Sequence, residues 1–260
     1  MWILGLWAGW VLVFASDPRA LGLSSGPGFA DWTGRIWFVS YTMFTVGNGD
    51  FTPADGAWQV VSGLVAATGM SLVTLAVTYL LNVLTAVVGK RAYADQVHGL
   101  GRTAEELVLA GWNGHDLHPL DRQLTELASQ LSRITQQYLS YPVLQYYHAA
   151  AVAKSPVKAA AVLDDALTLL RFGVAPAARP DPAALTSARS AVQSLLSDTL
   201  EAASIRPAPE PPPPPRLEPL RRAGVPVVEE QEFAGALRDL DDRRRTMLGL
   251  VRGDGWDWED

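Results

Sequence analysis

The chain has 260 residues, a formal net charge of −6 and no cysteine, which excludes disulfides and thiol chemistry. No segment joins a basic face to stacking aromatics, so nucleic acid is not an expected partner. Only six charged side chains (Asp17, Arg19, Asp31, Arg35, Asp50 and Asp55) fall within residues 1–89, so the first third shuns water and the remainder does not, as in a membrane part followed by a soluble part.

Residues 1–15 are apolar and carry Trp2, Trp7 and Trp10. At about 1.5 Å per residue such a helix reaches roughly 22 Å, short of a bilayer core. It has no positive leading region, and three tryptophans suit a membrane helix better than a cleavable leader. We expect an outer transmembrane helix over 1–15 that is truncated, with part of it lost upstream of Met1. Residues 17–33, with Pro18, Gly22, Gly26, Pro27 and Gly28, read as an irregular exposed connection. Asp31 or Thr33 can then cap a helix over 34–44. Its Trp37, Phe38, Tyr41 and Phe44 populate more than one face, as in a buried helix. If its C-terminal end points into a cavity, the helix dipole favours a cation there; the other reading is an ordinary core helix before a hairpin.

Thr45-Val46-Gly47-Asn48-Gly49-Asp50 reads in two ways. Asn48-Gly49 is a strong hairpin signal. Two glycines around one residue also permit backbone torsions of alternating hand, which turn successive carbonyls toward one line that can replace the water around a cation. The 34 residues from 56 to 89 hold no charge, more than the about 20 that span a bilayer, so a transmembrane inner helix is expected over 57–89. Lys90 and Arg91 follow directly, and positive-inside reasoning puts the rest of the chain in the cytoplasm. Ser71, Thr74, Thr78, Asn82 and Thr85 on this helix either line an aqueous cavity or hydrogen-bond between helices.

Helix, aromatic helix, Thr-Val-Gly-X-Gly-Asp, Pro53 and a long inner helix together resemble the pore module of the potassium channel superfamily, over about residues 1–90. An open hairpin between membrane segments would leave backbone groups unsatisfied, which counts against the turn reading. The resemblance implies an all-α membrane protein with a two-transmembrane-helix, pore-loop module over 1–91. It makes Thr45, Val46, Gly47, Asn48, Gly49 and Asp50 the selectivity filter, Trp37, Phe38 and Tyr41 its pore-helix support, and Gly69 the gating hinge. Thr74, Thr78 and Asn82 would line the cavity. It further implies a homotetramer in the lipid bilayer of the cell membrane, multi-pass, with permeant K+ or Na+ as the only metal and no cofactor. Asn48 departs from the family's Tyr or Phe; non-selective relatives carry a polar residue here, so potassium-selective and non-selective conduction both remain open. Asp50, with Asp31 and Asp55, would form an acidic outer mouth.

Beyond Lys90 the pattern is helical, with helices expected over 92–110, 119–140, 142–153, 156–172, 182–204 and 229–251. Leu120, Leu124, Leu127, Leu131, Ile134 and Tyr138 form a stripe fewer than three heptads long, which fits an intradomain bundle over 92–205. Residues 206–228, with five consecutive prolines at 211–215, read as a stiff polyproline linker from which a last helix and an acidic tail (229–260) hang. Gly99-Leu100-Gly101-Arg102-Thr103-Ala104 fits G-x-G-x-x-A on paper but lacks the preceding strand and the following acid of a dinucleotide fold. His98, His115, His118 and His148 read as surface or turn residues rather than a metal site. No acid/base pair, triad or phosphate loop offers an enzymatic reading. The competing function of another class is a membrane-anchored helical adaptor with a non-conducting pore. A cytoplasmic regulator is a further partner whose identity the sequence does not carry.

Overall fold

The computed structural model describes residues 2–146, 151–203 and 206–259. It divides into two compact units, Met1–Asn82 and Val83–Asp260.

The first unit begins with helix α1 (Trp2–Ala15) and continues through strand β1 (Leu21–Leu23), helix α2 (Trp32–Met43) and strand β2 (Phe51–Pro53) into helix α3 (Gly56–Leu100). The stretch 17–33, expected to be irregular, contains β1, which pairs antiparallel with β2 in the register Leu21 to Pro53, Gly22 to Thr52 and Leu23 to Phe51. Three residues per strand are too short to show a period-2 pattern, so this pairing was invisible in the sequence. The ribbon departs from an all-α fold, although the chain is mostly helical. Asp31 is the cap of α2: its carboxylate accepts from the Gly34 amide at 2.7 Å, satisfying one of the free donors of the first turn. A small core of Val11, Phe14, Phe38, Val39, Met43 and Val65 joins α1, α2 and α3. Phe14 contacts both Phe38 and Trp58, with ring centroids 5.1 and 5.3 Å apart.

Helix α3 is 45 residues long, and runs past its expected end at Gly89 because nothing between Gly89 and Leu100 breaks a helix more strongly than an isolated glycine. Among the described residues it is the helix long and apolar enough to cross a membrane. Leu75, Leu80, Leu81, Leu84 and Val88 stand exposed along it.

In the second unit, the expected single helix over 92–110 is broken. Helix α4 (Ala104–Ala110) is separate, because Thr103 and Glu106 carry the capping-box pattern: the Thr103 hydroxyl accepts from the Glu106 amide at 3.2 Å, and the Glu106 carboxylate reaches back one residue past the cap to accept from the Arg102 amide at 2.8 Å. Gly99 to Ala104 therefore belongs to a helix-to-helix junction. Helix α5 (Leu120–Ser140) packs against α7 (Pro182–Ala203), burying Leu120, Leu124, Leu127, Leu131 and Ile134. In place of one helix over 142–153 there are 3-10 turns at Pro142–Tyr146 and Val152–Lys154; residues 147–150, including His148, lie outside the described residues, as do Ser204, Ile205 and Asp260. Helix α6 (Pro156–Thr168) continues as a π turn at Leu169–Gly173. After α8 (Glu218–Arg222), the expected helix over 229–251 is two, α9 (Glu230–Asp239) and α10 (Asp241–Gly253). The break falls at Leu240, next to the acids Asp241 and Asp242 that suit the first turn of α10.

The proline run is not a free spacer. Arg244, 4% exposed, donates from its guanidinium to the Pro212 and Pro213 carbonyls at 3.1 and 2.7 Å. Ala208 N donates to Arg245 O at 2.9 Å, and the Arg245 side chain returns a bond from Nε to Ala208 O at 2.9 Å. Prolines lack amides but keep carbonyls, and the buried arginine uses them. The acidic tail is packed too: Lys158 Nζ donates to the carbonyls of Asp257 and Trp258 at 2.9 and 2.7 Å, and Ser155 Oγ donates to Asp254 at 2.8 Å. Next to this proline strap (residues 208–215) lies a buried ionic cluster, in which Asp164 accepts from Arg189 at 2.8 Å and Arg243 at 2.7 Å, while Asp165 faces Arg244 at 3.5 Å. Burial pushes the Asp165 carboxyl up to about 7, against the lowering pull of Arg244.

Candidate ion pathway

Residues 45–50 follow the C-terminal end of α2 without forming a strand. Thr45, Gly47 and Gly49 have positive φ angles of 56°, 64° and 81°, with Val46 and Asn48 between them on the ordinary side. The backbone therefore alternates in hand residue by residue. Glycine carries this conformation without a Cβ penalty at 47 and 49, whereas at Thr45 a β-branched residue sits in the left-handed region at a cost of about 1–3 kcal/mol. Such strain persists only where the surroundings impose it. Here Thr45 N donates to Thr42 O at 3.1 Å and Val46 N to Tyr41 O at 2.8 Å, so the loop's first amides cap the last turn of α2. All six residues are exposed on the single chain.

The far end of the loop is held by a carboxylate. Trp37 Nε1 donates to Asp50 Oδ2 at 3.1 Å, and the Asn48 amide nitrogen donates to the same oxygen. The Asp50 carbonyl accepts from Ser24 N at 3.0 Å, which extends the β1–β2 ribbon by one pair and ties the loop to it. Trp37 also meets Tyr41 edge to face at 5.8 Å, and the Tyr41 hydroxyl donates to Phe51 O at 3.3 Å. Trp37, Tyr41, Asn48 and Asp50 thus form one connected group. Phe38, 3% exposed, adjoins this group through Tyr41 and packs with Phe14 in the core behind the loop.

Gly69 has a defined surrounding. A Cβ placed there would lie 1.7 Å from the Met43 carbonyl oxygen, so α3 touches the backbone at the end of α2 at this point. The helix is uninterrupted through Gly69. Thr74, Thr78 and Asn82 are all exposed on α3; the Thr74 hydroxyl donates to Met70 O at 2.8 Å, within its own helix. Lys90 is buried in the second unit, with Nζ donating to Leu144 O at 3.3 Å and lying 4.6 Å from the centre of the Tyr138 ring. Only Arg91 of that pair is exposed. Of the histidines, His118 Nδ1 lies 2.9 Å from Asp121, and the described residues contain no group of three His, Asp or Glu able to hold a metal. Sequence reasoning missed Ser24, Met43 and Phe51, whose parts are played by backbone atoms that leave no mark on side-chain patterns.

The ion channel family profile matches residues 1–86. Over 258 residues the chain is 38% identical to the uncharacterized membrane protein YdjJ of Bacillus subtilis (strain 168), covering 99% of this chain and 75% of that relative. The chain belongs to this ion channel family. Its matched region holds α1, the ribbon, α2, the loop 45–50 and the apolar part of α3, so the pore-module resemblance read from residues 45–50 and their flanks stands. The protein is a membrane protein. No solved structure matches this ion channel chain.

Proposed function

We propose that copies of this chain assemble as a homotetramer whose first units surround a passive potassium pathway, with residues 45–50 as the selectivity filter. The alternation of hand at Thr45, Gly47 and Gly49 carries the reading, because it directs carbonyls toward a common line and one chain supplies only one side of a ring. The exposure of the whole loop on one chain is consistent with a surface completed by other copies. In this arrangement α1 and the uncharged part of α3 lie in the bilayer, exposed apolar residues of α3 meet lipid and neighbouring subunits, and the chain from Arg91 onward is cytoplasmic. Asp50 concentrates cations at the outer mouth. Reconstituted full-length protein is expected to release potassium from loaded liposomes, and Gly49→Val, which puts a β-branched residue at φ 81°, to abolish release. Crosslinking in membranes is expected to stop at four copies. Silence from intact tetramers, or a ladder ending at two, refutes the proposal.

A second reading, non-selective Na+/K+ conduction, rests on Asn48. Its side chain joins Trp37 on the Asp50 carboxylate instead of presenting an aromatic ring to the pore helix. Bi-ionic reversal potentials separate the two. If Asn48→Tyr raises the potassium preference, the natural residue relaxes the filter; if the preference is already high and unchanged, the backbone alone sets it.

A further inference from the structure

The second unit contains a cavity of about 710 Å3, within the 300–1,000 Å3 that small-molecule sites occupy. Its walls come from distant parts of the chain: His98 at the end of α3, Arg102 in the capping-box turn, Lys158 and Asp165 on α6, the prolines at 213–215, and Trp258 of the tail. The strap and tail docking described above builds this space, since Arg244 holds Pro212 and Pro213 and Lys158 holds the carbonyls of Asp257 and Trp258.

Three observations define what the cavity suits. Both ring nitrogens of His98 are buried and find no hydrogen-bond partner among the described residues. With no accessible surface at either nitrogen, His98 lines the cavity with its other atoms and adds to its apolar wall. The charges along the wall balance: Arg102, Lys158 and Arg216 face Asp165, Glu105 and Glu259. Asp165 is matched by Arg244, and Glu105 accepts from the Arg216 amide at 2.8 Å. This is no cradle for a polyanion, yet the Arg102 guanidinium is exposed at its edge and offers a planar donor fork suited to one carboxylate. Trp258 and the flat faces of three prolines supply an apolar wall on which a ring can lie.

From these we infer that the second unit binds a small organic carboxylate with a ring-bearing apolar body, its carboxylate at Arg102 and its ring against Trp258 and the prolines. Its capture does not depend on the conduction reading, since binding is measured directly. Because His98 belongs to the same continuous helix as Thr74, Thr78 and Asn82, the ligand sits on the element that also carries the apolar span.

The test is isothermal titration of full-length detergent-solubilised protein with 3-phenylpropionate, phenylalanine and ATP. Ligands of about a dozen heavy atoms at ordinary efficiency bind with Kd of about 1 mM or tighter. Saturable binding of phenylpropionate or phenylalanine is expected, with ATP inert, and with Arg102→Ala and Trp258→Leu each weakening it about tenfold or more. Arg102 is exposed, so its variant leaves folding intact; Arg102→Lys is expected to restore part of the affinity, which a merely structural effect would not do. No saturable binding of either carboxylate, binding indifferent to both variants, or ATP binding more tightly than both overturns the inference.

Discussion

Gly69 offers a substitution for which two physical readings predict opposite signs. As a flexible hinge in a helix interior, it costs stability, and Gly69→Ala would be expected to stiffen and stabilise α3 by about 0.5–1 kcal/mol. The structure puts a different constraint on it. An added Cβ would stand 1.7 Å from Met43 O, 2.6 Å from Met43 C and 3.0 Å from Met43 Cα, where ordinary contact begins at 3.4 Å. The obstacle is backbone, so no side-chain rotation relieves it, and α3 or the end of α2 must move by more than an ångström. Overpacking of this kind costs about 1–3 kcal/mol, which at all but its low end outweighs the helix-propensity gain and leaves a net loss of up to about 2 kcal/mol. Met43 lies two residues before Thr45, so the displacement passes directly into residues 45–50. Thermal unfolding of solubilised Gly69→Ala, followed by tryptophan fluorescence, is expected to shift downward, with potassium release from liposomes reduced in parallel. A variant that is more stable than the natural chain and conducts normally refutes the close-approach reasoning; one that is more stable but opens less restores the hinge.

Three other outcomes follow from particular contacts. Trp37→Phe keeps the ring and removes the donor to Asp50; with the bond exposed its loss is about 1 kcal/mol, and the reversal potential between K+ and Na+ is expected to move toward non-selectivity while the oligomer persists. An unchanged potential would show that Asn48 and Ser24 suffice to hold Asp50. Asp164→Ala leaves Arg189 and Arg243 facing one another without their shared carboxylate, and removal of one partner from a buried pair costs about 3–5 kcal/mol; a fall in the unfolding temperature of only a degree or two would contradict the burial of this cluster. Asp165 governs a pH effect. Its folded value, raised by burial to about 7 from 3.8, means that the folded chain binds the extra proton between those limits, so its contribution to stability is complete below about pH 4 and is lost as pH rises through about 7. The unfolding temperature of Asp165→Asn is therefore expected to fall less between pH 5 and pH 8 than that of the natural chain; parallel curves would show that Arg244 keeps Asp165 ionised throughout.

Much of the architecture was legible because it is written in local pattern. The six charges of residues 1–89, the uncharged run 56–89 and the stripe from Leu120 to Ile134 report which faces avoid water, and Thr45 to Asp50 carries its glycines where the backbone needs a left-handed turn. The capping box at Thr103 and Glu106 was equally present and announced the end of α3, but the apolar periodicity around it masked the signal. What pattern could not supply was the occupant of each face. Asp50 meets Trp37, Asn48 and the Ser24 amide only because β1 pairs with β2, a contact made through backbone atoms. Gly69 looked like a flexible point until Met43 was found against it. The proline run looked like a spacer because proline lacks amide donors; its carbonyls become ligands for Arg244 only once α10 lies beside it. Asp164 and Arg243 are 79 residues apart, and the energy of each depends on the other's being brought within 2.7 Å away from water. Periodicity fixes which side of an element is buried, whereas the value of a charge, a glycine or a carbonyl depends on what the fold brings to it from elsewhere in the chain.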